Sequence, residues 1–135
     1  MENNLKFNSV ICTSRSQSER LLALGLKKET ADMLIMSLSS DNDIIALPWV
    51  ESGGWTRDNS IPAWSLHRLL SLLPRNVRIG KNYYDLVIVQ NEFIRLADDL
   101  GDTYKYFDKE ELYEGLLDCI EWLIKQGYFN KEYLV

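Results

Sequence analysis

The stretch Val77-Arg78-Ile79-Gly80-Lys81-Asn82-Tyr83-Tyr84-Asp85-Leu86-Val87-Ile88-Val89 decides the fold. Val77 and Ile79 alternate with Arg78, which is the two-residue period of a strand, and the run from Tyr83 onward is rich in the branched and aromatic side chains that a pleated surface accepts. With Gly80-Lys81-Asn82 as the turn, the two runs read as paired strands. Immediately upstream the period is different. Leu66, Leu69, Leu70 and Leu73 fall on one face at helical spacing, and Pro74 stops the helix because its ring clashes with the preceding turn. This helix is expected to begin in Ser60-Ile61-Pro62-Ala63-Trp64-Ser65-Leu66, since proline in a first turn costs no hydrogen bond. A chain that changes from a helical to an extended period within a few residues belongs to the α+β class.

Working outward, residues 93–96 are expected as a further strand and Tyr104-Lys105-Tyr106-Phe107 as a last short one, with turn-rich residues 97–102 between them. Asp108-Lys109-Glu110-Glu111 is a capping arrangement that opens the clearest helix, with Leu112, Leu116, Ile120 and Leu123 in one stripe and Gly127 closing it. Toward the N-terminus, Ser16-Gln17-Ser18-Glu19 has the form of a capping box. Leu21, Leu22 and Leu24 supply the buried side of that helix, and Gly25 ends it with Leu26 folding back. One more helical turn at residues 28–31 leads into Met33-Leu34-Ile35-Met36, read as a strand. Across the turn Ser39-Ser40-Asp41-Asn42-Asp43, it can form a hairpin with Ile44-Ile45-Ala46-Leu47. Residues 48–60, with Gly53-Gly54 at their middle, form the longest expected loop. No repeat or linker divides the chain, so residues 1–135 are expected as a single α+β domain, a small antiparallel sheet with about three helices packed on it.

Composition fits a folded chain of ordinary domain size, with 46% apolar and 26% charged residues and 3 prolines in 135. The net charge of -5 repels phosphate backbones, and the basic residues do not gather: Lys27-Lys28 is the one adjacent pair, and Arg75, Arg78 and Lys81 are scattered. Nucleic acid is therefore not the expected partner. Met1-Glu2-Asn3-Asn4-Leu5-Lys6-Phe7 has neither a basic leader nor a cleavage site, and no apolar run approaches the ~20 residues that cross a bilayer. A cytoplasmic chain with no membrane partner is expected, its Cys12 and Cys119 reduced and buried.

Few groups here carry chemistry. His67 is the sole histidine, so no two-histidine metal site can be built, and it reads as a surface or boundary residue. A Cys–His nucleophile pair would need Cys12 or Cys119 to approach His67; Cys119 sits beside Ile120 in a core-bearing helix, which favours an inert thiol. Asp41-Asn42-Asp43 opens like a calcium loop but has Ala46 and Ser52 where such a loop needs glycine and glutamate. Gly53-Gly54 lacks the lysine and hydroxyl residue of a phosphate loop, so no cofactor is expected and no catalytic residue is assigned. Two surfaces remain. Glu110, Glu114, Asp118 and Glu121 recur at spacings of three and four, which predicts an acidic stripe on the solvent side of the last helix, partly compensated by Lys125. Trp49, Trp55 and Trp64 lie around the glycine loop near Arg57 and Asp58, where loop tryptophans can anchor an interface and Trp64 can pack in the core.

Three blocks, Ser18-Glu19-Arg20-Leu21-Leu22-Ala23-Leu24-Gly25-Leu26 with Glu29-Thr30-Ala31-Asp32-Met33, Ile61-Pro62-Ala63-Trp64-Ser65-Leu66 through Leu73-Pro74, and Cys119-Ile120-Glu121-Trp122-Leu123-Ile124 ending in Gly127-Tyr128, resemble small uncharacterised proteins of gut-bacterial genomes, phages and mobile elements. The resemblance spans most of the chain and is loose over residues 34–60. It implies an α+β accessory protein and brings no known activity with it. The leading expectation is a non-enzymatic interaction or regulatory module that meets a protein partner, or a second copy of itself, through Trp49, Trp55, Arg57 and Asp58 or through Glu110, Glu114 and Asp118. A pocket near the tryptophan loop using Arg57, Asp58 or His67 is the small-molecule or enzymatic alternative. An acidic modulator of nucleic-acid enzymes, with carboxylates in place of phosphates, is a third.

Overall fold

The computed structural model describes residues 10–37, 44–48, 60–89, 93–108 and 111–135. They form three α-helices and two antiparallel sheets, so the α+β expectation holds, with the strands divided between two sheets.

Helix α1 (Arg15–Ala23) is capped two residues before the first residue of the expected box. Ser14 is the cap: its hydroxyl accepts the Gln17 N–H at 3.2 Å, and the Gln17 side-chain oxygen accepts the Ser14 N–H at 2.9 Å. The expected frame fails because Ser18 turns inward, buried and hydrogen-bonded to the Thr13 hydroxyl at 2.7 Å, while Leu21 takes the core-facing position. At the other end Gly25, at φ 104°, allows the Leu26 N–H to reach the Leu21 carbonyl and its own N–H to reach that of Leu22, the double bond of a left-handed helix end. Leu26 is buried, as the expected fold-back requires.

After a 3-10 turn at Lys28–Thr30, strand β1 (Met33–Ser37) lies between β2 (Ile44–Pro48) and β3 (Ser60–Ala63). The β1–β2 hairpin is the expected one; its turn, Ser39 to Asp43, falls outside the described residues. β3 corrects the reading of Ser60-Ile61-Pro62-Ala63 as a helix start. These residues pair with β1, Ile35 against Ile61 and Leu34 against Pro62. Proline is tolerated there because β3 is an edge strand, so a missing N–H breaks no central ladder. The tertiary partner outweighs the local helix signature.

Helix α2 (Leu66–Leu72) begins only at Ser65, whose hydroxyl accepts the Arg68 N–H and donates to the Asp32 carboxylate. Its buried residues are Leu69 and Leu72, while Leu70, expected on the buried stripe, is 39% exposed. Trp64, just before the helix, is fully buried; its indole N–H donates to the Thr30 hydroxyl at 3.0 Å and its backbone N–H to the Thr13 hydroxyl at 3.1 Å. That tryptophan is core.

Strands β4 (Asn76–Ile79), β5 (Asn82–Val89), β6 (Phe93–Ala97) and β7 (Thr103–Phe107) form a meander in chain order. Gly80, at φ 64°, makes the two-residue β4–β5 turn possible. The β6–β7 turn is organised by Asp98, whose carboxylate accepts the N–H groups of Leu100 and Asp102.

Helix α3 (Leu112–Gln126) is capped by Glu111, not Asp108. The Glu111 carboxylate accepts the N–H groups of Tyr113 at 3.0 Å and Glu114 at 2.8 Å. Leu116, Ile120 and Leu123 are fully buried, whereas Leu112 is 37% exposed, so the stripe begins one step later than expected. With Leu117, Cys119, Leu21, Trp64, Leu69, Ile94 and Leu96 they make the main core, and Cys12, Ile35, Ile61 and Ala63 make a second one under the three-stranded sheet. Among the described residues no helix is long and apolar enough to cross a membrane.

Candidate functional site

Alternation along the four-stranded sheet separates two faces. Val77, Ile94, Leu96 and Phe107 are buried against α3, so the intervening residues Arg78, Tyr83, Asp85, Val87, Arg95 and Tyr106 stand on the opposite, outer face. The ladder sets Arg78 across from Tyr83, and Arg95 between Val87 on one side and Tyr106 on the other. Tyr83, the second residue of β5, and Tyr106, the next-to-last of β7, are 55% and 54% exposed. The Arg78 guanidinium lies 5.7 Å from the centre of the Tyr83 ring, within cation–π range. Arg95 is half-buried. Its Nη1 donates to the Thr103 hydroxyl at 2.9 Å and to the Gly101 carbonyl at 3.3 Å, both neutral oxygens, and its Nε is buried with no acceptor.

A second aromatic group lies on the α3 side. Between Leu96 and Ala97 the β6–β7 register shifts, so that Leu96 pairs with Lys105 and Ala97 with Thr103, leaving Tyr104 as the extra residue of a bulge. A bulge re-aims side chains, and Tyr104, which strict alternation would put beside Tyr106, instead meets Tyr84 at 5.1 Å and Trp122 at 6.3 Å between ring centres. The left-handed Gly127 turns the chain so that the Tyr128 N–H bonds the Leu123 carbonyl and its ring returns to Trp122 at 5.8 Å. Phe107 lies edge-on to Trp122 at 6.0 Å, and Lys105 is 5.8 Å from the centre of the indole. These rings face one another at the seam of β7 and α3.

The acidic stripe sits differently from its expected place on solvent. Glu114, Asp118 and Glu121 turn toward α1 and surround Arg20 at 3.4, 2.7 and 3.6 Å. Burial alone would lower the Arg20 pKa; the hydrogen bond and charge of Asp118, with Glu121 and Glu114, more than offset it and raise it. Gln17 adds bonds to Glu111 and Glu114, and Lys125 meets Glu121 at 3.7 Å. The stripe is thus a clamp between two helices. Glu110, Trp49, Trp55, Arg57 and Asp58 lie outside the described residues.

Neither cysteine is arranged as a nucleophile. Both are free and buried; burial, then the charge of Asp118, pushes the Cys119 thiol up to about 12, and burial, then the charge of Asp32, raises that of Cys12. His67 is exposed on α2. Cys12 does border an open cleft of about 420 Å³, with Val10, Gln17, Ile35, Glu111 and Glu114 around it. Among the described residues no three His, Cys, Asp or Glu side chains gather in a way that could hold a metal ion.

The outer-face residues were open to sequence reading, since Arg78, Tyr83, Asp85, Val87, Arg95 and Tyr106 follow from strand alternation once the pairing is known. The burial side of each strand is what the sequence alone leaves open. Compared with known proteins, the chain matches no protein-family model, no curated protein and no solved structure.

Proposed function

We propose that this chain is a non-enzymatic accessory module that binds a protein partner through the outer face of β4–β7. The observation that carries this reading is the pair of half-exposed tyrosines, Tyr83 and Tyr106, each set directly across a strand pair from an arginine. Tyrosine and arginine are the side chains that interfaces enrich and in which binding energy concentrates, because they combine large contact area with directed hydrogen bonds. A regular sheet also holds them in place before the partner arrives, which reduces the ordering cost of association. Glu114 and Asp118 support such a role less well, because their charges are engaged by Arg20.

The cleft beside Cys12 favours a small-molecule reading to a lesser degree, because its two carboxylates already accept bonds from Gln17 and from the first turn of α3. The nucleic-acid-enzyme modulator is supported by three carboxylates on one helix face and weakened by the arginine at their centre.

Tagged protein recovered at native level from its own cells, with mass spectrometry of what accompanies it, tests the proposal against a Tyr83→Ala, Tyr106→Ala variant. The expected result is a protein that accompanies the parent chain, rebinds it when purified, and is lost from a variant that still unfolds cooperatively. A partner retained by the variant, or recovery of the chain alone, overturns it.

A further inference from the structure

We propose that the aromatic seam between β7 and α3 is a second docking surface, and that its occupant is a proline-rich segment of a partner protein in the polyproline conformation. Four rings follow one another along the seam, Tyr84, Tyr104, Trp122 and Tyr128, at 5.1, 6.3 and 5.8 Å between successive centres. Tyr104 is 50% exposed and the other three are half-buried. The Tyr84 and Tyr128 hydroxyls and the Trp122 indole N–H bond no other described residue, and they are open to solvent: among the described residues Nε of Arg95 is the buried side-chain polar atom left without a partner. Trp64 makes the contrast, because a tryptophan that serves the core alone has its N–H taken up inside, by Thr30. Lys105 lies over Trp122 and Phe107 at 5.8 and 5.4 Å, and no carboxylate among the described residues pairs with it.

The surroundings select the occupant. β7 is an edge strand, so strand addition is the first use a partner could make of it. Two features oppose that: the bulge at Tyr104 interrupts the regular row of edge groups, and Lys105 carries its charge to the α3 side, both of them devices that guard an edge against pairing. The occupant is therefore held by side chains and not by a backbone ladder. Of the acids close in sequence, Asp85 stands on the outer face, Asp118 and Glu121 are held by Arg20, and Asp108 lies past the end of β7, so the cluster offers chiefly donors. A sugar also stacks on rings, but its many hydroxyls need acceptors as well. A polyproline segment has the matching need: its prolines have no N–H, its carbonyls make no internal bonds and call for donors, and its stiff, preformed shape loses little entropy on docking against aromatic rings. Phenol and indole donors on a row of rings meet that need, and Lys105 favours an acidic residue beside the prolines.

A fluorescein-labelled peptide of ten prolines flanked by glutamates tests this on the full chain, by anisotropy and by NMR of amide and indole N–H groups, with a glycine–serine peptide carrying the same glutamates and a glucose hexasaccharide as controls. The proline peptide is expected to bind saturably, to shift the Trp122 indole and the amides of Tyr104 and Lys105, and to leave the Trp64 indole in place. Tyr104→Ala should weaken it about tenfold. Tyr128→Phe, which keeps the ring and removes one donor, should weaken it about two- to tenfold. Melting curves establish that both variants fold. Equal binding by the glycine–serine peptide, saturable binding of the hexasaccharide with the same shifts, unchanged binding to both variants, or no saturable binding of the proline peptide overturns the proposal. Tyr83→Ala, Tyr106→Ala should bind the proline peptide as the parent does, and a loss there overturns its placement on the seam. The outer-face reading fails separately, if a native partner survives that double variant.

Discussion

Trp64 shows how much a single residue's role depends on partners distant in sequence. In the sequence it sits in a cluster with Trp49 and Trp55; in the fold it is enclosed, with Thr30 and Thr13 satisfying its two N–H groups. Thr30→Val keeps the shape but leaves the buried indole N–H without an acceptor, so urea unfolding should give a loss of about 1–3 kcal/mol. Cys119 leads to a pH prediction. Its folded-state pKa is raised from 9.0 to about 12, chiefly by burial. Between those values the unfolded chain has released the thiol proton and the folded chain has kept it, so stability falls as pH rises from about 9 toward 12. In Cys119→Ala the same titration should be shallower. The inert thiol was legible in the sequence, because Cys119 is flanked by core positions of an obvious helix. The bonds of Arg95 to Thr103 and Gly101 were not, since they depend on how the β6–β7 turn folds back.

At the scale of elements, alternation and helical stripes carried most of the information. The β4–β5 hairpin, the strands around Ile94 and Tyr106, and the Leu116–Ile120–Leu123 stripe lie where their periods put them. The departures have local physical causes. Ser60-Ile61-Pro62-Ala63 carries a helix-start signature that loses to pairing with β1, and each expected cap moved to the residue that leaves the core leucines facing inward. The bulge at Tyr104 depends on the partner strand and leaves no mark of its own in the sequence. The α1–α3 clamp is likewise a tertiary product, in which Arg20 gathers carboxylates about a hundred residues away. Because these groups are partly exposed, screening limits the pair energies; Arg20→Met is expected to destabilise by about 1 kcal/mol, with the difference shrinking in 1 M salt. Denaturant titrations at two salt concentrations check this. Gly127→Ala, at a left-handed position, is expected to cost about 1 kcal/mol and to loosen the Tyr128–Trp122 contact, visible in indole fluorescence.

At the scale of the whole molecule, the two faces of the four-stranded sheet divide the work. One face joins α3 in the core; the other offers tyrosine and arginine in a fixed array on a chain that is otherwise acidic. Tyr83→Ala, Tyr106→Ala removes two half-exposed rings and the Arg78–Tyr83 contact, so its stability should fall by no more than about 1 kcal/mol while partner binding is lost. Amide hydrogen exchange, measured by mass spectrometry on the chain alone and with its recovered partner, tests the central claim most directly. The account predicts slowed exchange in β5 and β7, at Asn82–Val89 and Thr103–Phe107, with α1 unchanged. Protection confined to α1 and the first turns of α3, with β5 and β7 exchanging as in the chain alone, would contradict it.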